Sequence, residues 1–236
     1  MPKPEKPPAE KRACEDATGI AACESVDRYT EEGLKLAQGS MDPAERAQAF
    51  LELANGELAR LDIPANKVGD PIEPGKAGKF VSSGWAMTVD PTLFTDEKMK
   101  DPTAVASALN TVYHEARHTE QLHRMAQLRR AQGLDPEAIA AELQIPLEVA
   151  REVEALPLEG GRDQKEAQAW WDSAYGDGRE KRAMAVDFAR RGFSMDLYCA
   201  LPEEADAWTT GASVSERVPG GIDERHLERC GRAARP

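Results

Sequence analysis

The sequence predicts an α+β fold that is mostly α-helical, and three observations carry the prediction. Alanine-rich, charged segments make up most of the 236 residues, and only 6% are aromatic, a composition that favours helices. One long segment, 101–133, carries the start and stop signals of a single helix. One stretch, "KFVSSGWAMTVDP", alternates with a period of two and reads as a strand, Val81, Trp85, Met87 and Val89 on one side and Ser82, Gly84, Ala86 and Thr88 on the other. The length suffices for a real core.

Each element follows in order. The opening "MPKPEKPPAEKR" has no apolar run and reads as disordered; residues 1–24 are predicted as a disordered or tethered tail and 25–236 as a single domain. Helices are predicted over 25–38 and 42–61, the second opened by Asp42-Pro43 with Glu45 in its first turn. "DIPANKVGDPIEPGKAGK" is rich in proline and glycine and predicts a loop leading to the strand. In the long helix Val105, Ala108, Leu109, Val112 and Ala116 recur at three- and four-residue intervals as an apolar stripe. "LDPEAIAAELQIPLEVAREVEAL" predicts two short helices starting near Pro136 and Pro146, a helical insertion at about 134–158. "LEGGRDQ" reads as a loop, and two or three more helices are predicted over 165–218.

The long helix contains "YHEARH". With a turn of about 100° per residue, His114 and His118 share one face and Glu115 borders it. This is the HExxH arrangement, in which two neutral imidazoles take Zn²⁺ and the intervening glutamate serves as base toward water. The plain alternative is a charged, solvated helix face. A catalytic zinc needs a third protein ligand. His123 is a poor choice, because it is rotated by about 140° from His118 if the helix continues. Ending the helix at a glycine would solve this, but Gln121 stands at that position. A carboxylate from a later helix is the remaining source. Glu166 in "KEAQAWWDSAYG" and Glu203 and Glu204 in "YCALPEEADAWTTG" are the candidates, and an acidic solvent-facing surface is the alternative for all three. Pro202 suits a first helical turn, whose partial positive charge would keep Glu203 or Glu204 ionised.

HEARH followed by a glutamate on a later helix resembles the gluzincin branch of the zincin metallopeptidases. "YCALPEEADAW" is similar to the Tyr…Pro-x-Glu-x-(Asp/Glu)-Ala segment that supplies the third ligand in several small bacterial zincins. "YHEARHTEQ", "EAQAWWDSAYG" and "LPEEADAW" in this order also resemble metallopeptidase domains of bacterial polymorphic-toxin or contractile-injection effectors, over roughly residues 84–211. The thermolysin-like ExxxD spacing is absent, since Glu204 and Asp206 are two apart and Glu203 and Asp206 three.

The resemblance implies a zincin-like fold with a small sheet packed on the HExxH helix and one Zn²⁺ on His114, His118 and Glu204, with Glu166 and Glu203 as alternatives and Asp206 as an acid behind the ligands. It implies that the edge of the sheet pairs with extended substrate, which places Gly84, Trp85 and Ala86 in substrate binding. It also implies a hydrogen-bond donor to the oxyanion from outside the motif: His226, with Asp223 three residues before it, or Tyr198 or Tyr175. The activity implied is hydrolysis of a polypeptide by zinc-activated water with Glu115 as catalytic base. A catalytically inactive zincin-fold binding or structural module is the alternative. For an effector, the resemblance further implies a bacterial source, cytoplasmic synthesis without a Sec signal followed by export or injection, and a cognate immunity or inhibitor protein.

The formal charge of −12 disfavours nucleic acid and anionic membranes as partners. No window approaches the roughly 18 apolar residues of a membrane-spanning helix. Cys14, Cys23, Cys199 and Cys230 lack CxxC spacing. They read either as two disulfides, Cys14 with Cys23 and Cys199 with Cys230, or as free thiols.

Overall fold

Aspartate followed by proline opens three of the α-helices, at residues 42–43, 101–102 and 135–136. The structure, a computed structural model, describes residues 13–73, 75–155 and 161–221. It begins with α1 (Cys23–Gln38) and α2 (Pro43–Ala59). The Asp42 carboxylate accepts from the amides of Ala44 and Glu45, filling orphan donors of the first turn of α2, where proline has none to offer.

Three short strands follow, β1 (Lys67–Val68), β2 (Gly78–Val81) and β3 (Ala86–Val89), in the spatial order β1-β3-β2. β1 runs parallel and β2 antiparallel to β3. The single strand expected over "KFVSSGWAMTVDP" is therefore a hairpin. Ser82–Gly84 make a 3-10 turn, and Trp85 takes a left-handed conformation with φ of 47°. The period-two pattern survives in β3, where Met87 and Val89 are buried and Ala86 and Thr88 partly exposed. β1 lies within the segment read as loop.

The spine of the molecule is α3 (Pro102–Ala131). Asp101 caps it through the Thr103 amide at 3.0 Å, and the chain leaves it through Gly133, whose φ of 92° is easily reached without a Cβ. The predicted stripe of Val105, Ala108, Leu109, Val112 and Ala116 is buried throughout. Side chains on the other faces, among them Tyr113, Arg117 and Gln121, are buried as well, because α3 is packed by neighbours on several sides. α4 (Pro136–Leu143) and α5 (Leu147–Glu152) are the two short helices read as an insertion, and Ile139, Leu143, Val149 and Ala150 join the common core. α6 (Arg162–Ala174), α7 (Arg179–Arg190), α8 (Asp196–Cys199) and α9 (Pro202–Ser215) complete the described residues, four helices rather than two or three.

The most extensive helix pairing is α3 with α9, and it depends on Gly211. A Cβ there would lie 2.3 Å from Asn110 Oδ1 and 3.3 Å from the Asn110 carbonyl, so a side chain at this position would displace the Asn110 amide that sits between the helices. β2 crosses α3 under a similar constraint: a Cβ on Gly78 would meet Thr111 Cγ2 at 2.7 Å.

Residues 13–22, assigned to the tail, form an ordered strap tethered by a Cys14–Cys23 disulfide. Ile20 is fully buried, a burial worth about 1.5–3 kcal/mol. Its amide donates to Glu120 Oε2 at 3.1 Å, and its carbonyl accepts from Tyr113 Oη at 2.7 Å. The other expected disulfide involves Cys230, outside the described residues. Among the described residues no helix is long and apolar enough to cross a membrane.

Candidate metal centre

Three side chains converge between α3 and α9. His114 and His118, one turn apart on α3, turn their Nε2 atoms toward each other at 3.1 Å. Glu204 Oε2, from the first turn of α9, stands 3.8 Å from His114 Nε2 and 3.5 Å from His118 Nε2. A point equidistant from three atoms at these separations lies about 2.0 Å from each, which is the ligand distance of zinc to imidazole nitrogen and carboxylate oxygen. Glu204 Oε2 is buried and has no hydrogen-bond partner. A buried carboxylate oxygen without a hydrogen bond is costly; the neighbouring His118 offsets that cost in this structure, and a cation between them would do so in its place. The donor set of two imidazoles and one carboxylate suits zinc. The residues present therefore fit a Zn²⁺ ion with one coordination position left over. His118 is the most exposed of the three side chains, at 18%, whereas His114 and Glu204 are nearly closed off.

Each ligand is oriented from behind. Tyr198 of α8 donates its hydroxyl to Glu204 Oε1 at 2.6 Å, leaving Oε2 for the centre. The Nδ1 atom of His118 meets Gln121 Oε1 at 2.8 Å. The His114 ring rests on the indole of Trp208, with centroids 4.6 Å apart. The His114 Nδ1 is buried and makes no formed hydrogen bond. Asp206 receives Gln121 Nε2 at 2.6 Å and a two-pronged ion pair from Arg117, 2.8 and 3.1 Å. Arg117, almost fully buried, also reaches Glu120 and the Thr18 carbonyl of the strap.

The electrostatics are those of a carboxylate set among imidazoles. Burial works against ionisation of Glu204, but the neighbouring His118 outweighs it and brings the pKa down to about 2. Burial likewise disfavours charge on His118, and Glu204 overrides it, lifting His118 to about 9. Burial, reinforced by His118, drives His114 down to about 3. Burial raises the pKa of Glu115. The Glu115 carboxylate accepts the Phe80 amide of β2 at Oε2, 2.8 Å, so the edge strand lies directly at the motif glutamate.

Of the residues considered from sequence, the structure gathers His114, His118 and Glu204 into one cluster able to hold a metal, with Asp206 behind them. Glu203 instead pairs with Arg182 of α7 at 2.7 Å, and Glu166 with Arg162 at 2.6 Å, so neither joins the cluster. His123 is buried on a different face of α3, with its Nε2 unpaired. Tyr175 donates to the Leu143 carbonyl, and the Tyr198 hydroxyl is committed to Glu204. Trp85 is 1% exposed, its indole nitrogen bonded to the Pro64 carbonyl and its own carbonyl to Lys67. Gly84 and Trp85 belong to the hairpin turn and Ala86 to the central strand. The backbone at the site is that of β2, residues 78–81, because the chain reverses where one continuous strand was expected. His226 and Asp223 lie outside the described residues. Gln121 and Phe80 were missed as site residues: Gln121 stands three residues beyond His118, a readable helical neighbour, whereas a backbone amide such as that of Phe80 leaves no signal in sequence.

Comparison with protein-family models, characterised proteins and solved structures gives no match to this chain.

Proposed function

We propose that this protein is a zinc-dependent peptidase of the gluzincin kind, with His114, His118 and Glu204 as metal ligands and Glu115 as catalytic base. The observation that supports the reading best is the convergence of three ligand atoms on a point at zinc–ligand distance, with a buried carboxylate oxygen there that accepts no hydrogen bond. When bound, zinc supplies Lewis acidity toward a carbonyl oxygen and toward water. Glu115 holds the proton that hydrolysis moves. The Phe80 amide fixes its Oε2, which leaves Oε1 to take a proton and later return it to the leaving amine. Its pKa, raised by burial, brings a carboxylate closer to the value at which both transfers are easy.

The substrate in this reading is an extended polypeptide laid along β2. Phe80 turns its amide toward Glu115, and strand alternation turns the amide and carbonyl of Gly78 and the carbonyl of Phe80 to the same side. The polar groups on this edge beside the Phe80 amide suit strand addition near the centre.

Metal analysis of purified protein with and without chelator, paired with Glu115→Gln, tests the proposal. About one zinc per chain is expected in both proteins, with cleavage of an unstructured polypeptide reduced by orders of magnitude in the variant. Absence of metal from zinc-supplemented protein, or equal cleavage by Glu115→Gln, overturns it. Zinc without any hydrolysis leaves a metal-holding binding module. An effector role, with delivery into another cell and a dedicated inhibitor protein, predicts that expression toxicity disappears in Glu115→Gln.

A further inference from the structure

One side chain touches both ligand-bearing helices at the centre. Gln121 lies on the histidine face of α3, seven residues after His114 and three after His118, and is 1% exposed. Its Nε2 donates to the Glu203 carbonyl at 2.8 Å and to Asp206 Oδ2 at 2.6 Å, and its Oε1 faces His118 Nδ1 at 2.8 Å.

The network leaves one consistent assignment of protons. A carbonyl and an Arg117-paired carboxylate can only accept, so the amide nitrogen must face them. The amide oxygen then faces the imidazole, and Nδ1 of His118 must be the donor. In the neutral ring this leaves the lone pair on Nε2, the atom aimed at His114 and Glu204. The same amide grips the carbonyl of Glu203, the residue immediately before Glu204, and so holds the first turn of α9 against α3.

Building on the zinc reading, we infer that Gln121 is a positioning residue for the metal. It presents His118 through Nε2 and sets the distance between His118 and Glu204, so the ligands are gathered before the ion arrives. Partners of this type are worth 10–100-fold in metal affinity.

The test compares Gln121→Met, which keeps length and loses both hydrogen-bonding ends, with Thr119→Val. Thr119 is a fully buried side chain two residues away on α3 whose hydroxyl bonds Asn66 at 3.1 Å and the Glu115 carbonyl at 3.4 Å rather than a ligand side chain. Zinc affinity is measured by competition with a chromogenic chelator, the thermal midpoint on zinc-free protein, and the His118 ring by long-range proton–nitrogen NMR of zinc-loaded protein. Gln121→Met is expected to weaken zinc by about 10–100-fold and to remove the protected Nδ1 proton, while Thr119→Val loses stability yet binds zinc like wild type. Gln121→Asn is one methylene too short to span His118 and Glu203, and it should weaken zinc about tenfold even if the Met variant does not fold. Wild-type affinity in both Gln121 variants, or equal weakening by Thr119→Val, overturns the inference while the zinc reading stands. A wild-type protein that takes up no zinc removes both, and that result appears before any substitution is made.

Discussion

At the scale of single residues, Glu204 and His118 each commit one polar atom to a neighbour and turn the other toward the cluster. Glu204 gives Oε1 to Tyr198, and in the zinc reading its Oε2 is the ligand atom. Tyr198→Phe should therefore weaken zinc about tenfold in a chelator competition; if Tyr198 acted on the oxyanion instead, turnover would fall with zinc affinity unchanged. His123 gives a different prediction, one of stability. Burial holds its pKa down to about 4, below the unfolded value of about 6.5. Between those values the unfolded chain binds a proton that the folded one refuses, so stability is full above pH 6.5 and is lost as pH falls toward 4. The window corresponds to about 3 kcal/mol. Denaturant titrations from pH 7 to 4 should show a shallower loss in His123→Leu than in wild type.

At the scale of elements, the site exists because α9 docks on α3 with one register. Glu204, Ala207 and Gly211 fall on one face of α9 at helical spacing. Glu204 occupies the first turn, where the helix dipole favours a carboxylate, and Gly211 sits where the helices nearly touch. Gly211→Ala displaces the Asn110 side chain and presses on the Asn110 carbonyl. It should cost about 1–3 kcal/mol by overpacking and weaken zinc more than an equally destabilising change in α1, as read by thermal melts and metal titration. The hairpin of β2 and β3 contributes through its turn. The left-handed Trp85 reverses the chain, so the strand that reaches Glu115 is the one before the tryptophan. Alternation of side chains over 79–89 reads the same on a strand and on a hairpin whose arms share a face, so periodicity could not distinguish them.

At the scale of the whole molecule, the cluster sits on a helix held by packing contacts far from it. α3 is packed by α2, α6, α9 and β2, and the strap carrying Ile20 is pinned onto it through Glu120 and Tyr113. Chelation should consequently leave the far-ultraviolet circular dichroism unchanged, unlike a zinc finger, which unfolds without its ion. Free zinc at 100 times its dissociation constant should add about 2.7 kcal/mol, a rise of about 5–10 °C in thermal midpoint for a chain of this size. A chelator that unfolds the protein outright would contradict a pre-assembled site.

The mostly helical α+β class, the bounds of α3 and the pair His114 and His118 were legible from the chain alone. They depend on local rules: Asp-Pro caps, apolar spacing, and the return of a helix to one face every fourth residue. Even the ordered strap left only a faint trace, the short Cys14–Cys23 loop, because its anchors Glu120 and Tyr113 lie about a hundred residues away. Glu204, Glu203 and Glu166 each have a helical setting in sequence, and local rules rank none of them decisively. Only the packing of α9 on α3 through Gly211, together with the engagement of Glu203 by Arg182 and Glu166 by Arg162, selects Glu204 for the cluster. Helical periodicity acts within a few residues, whereas convergence of ligands from distant helices depends on how those helices pack in space.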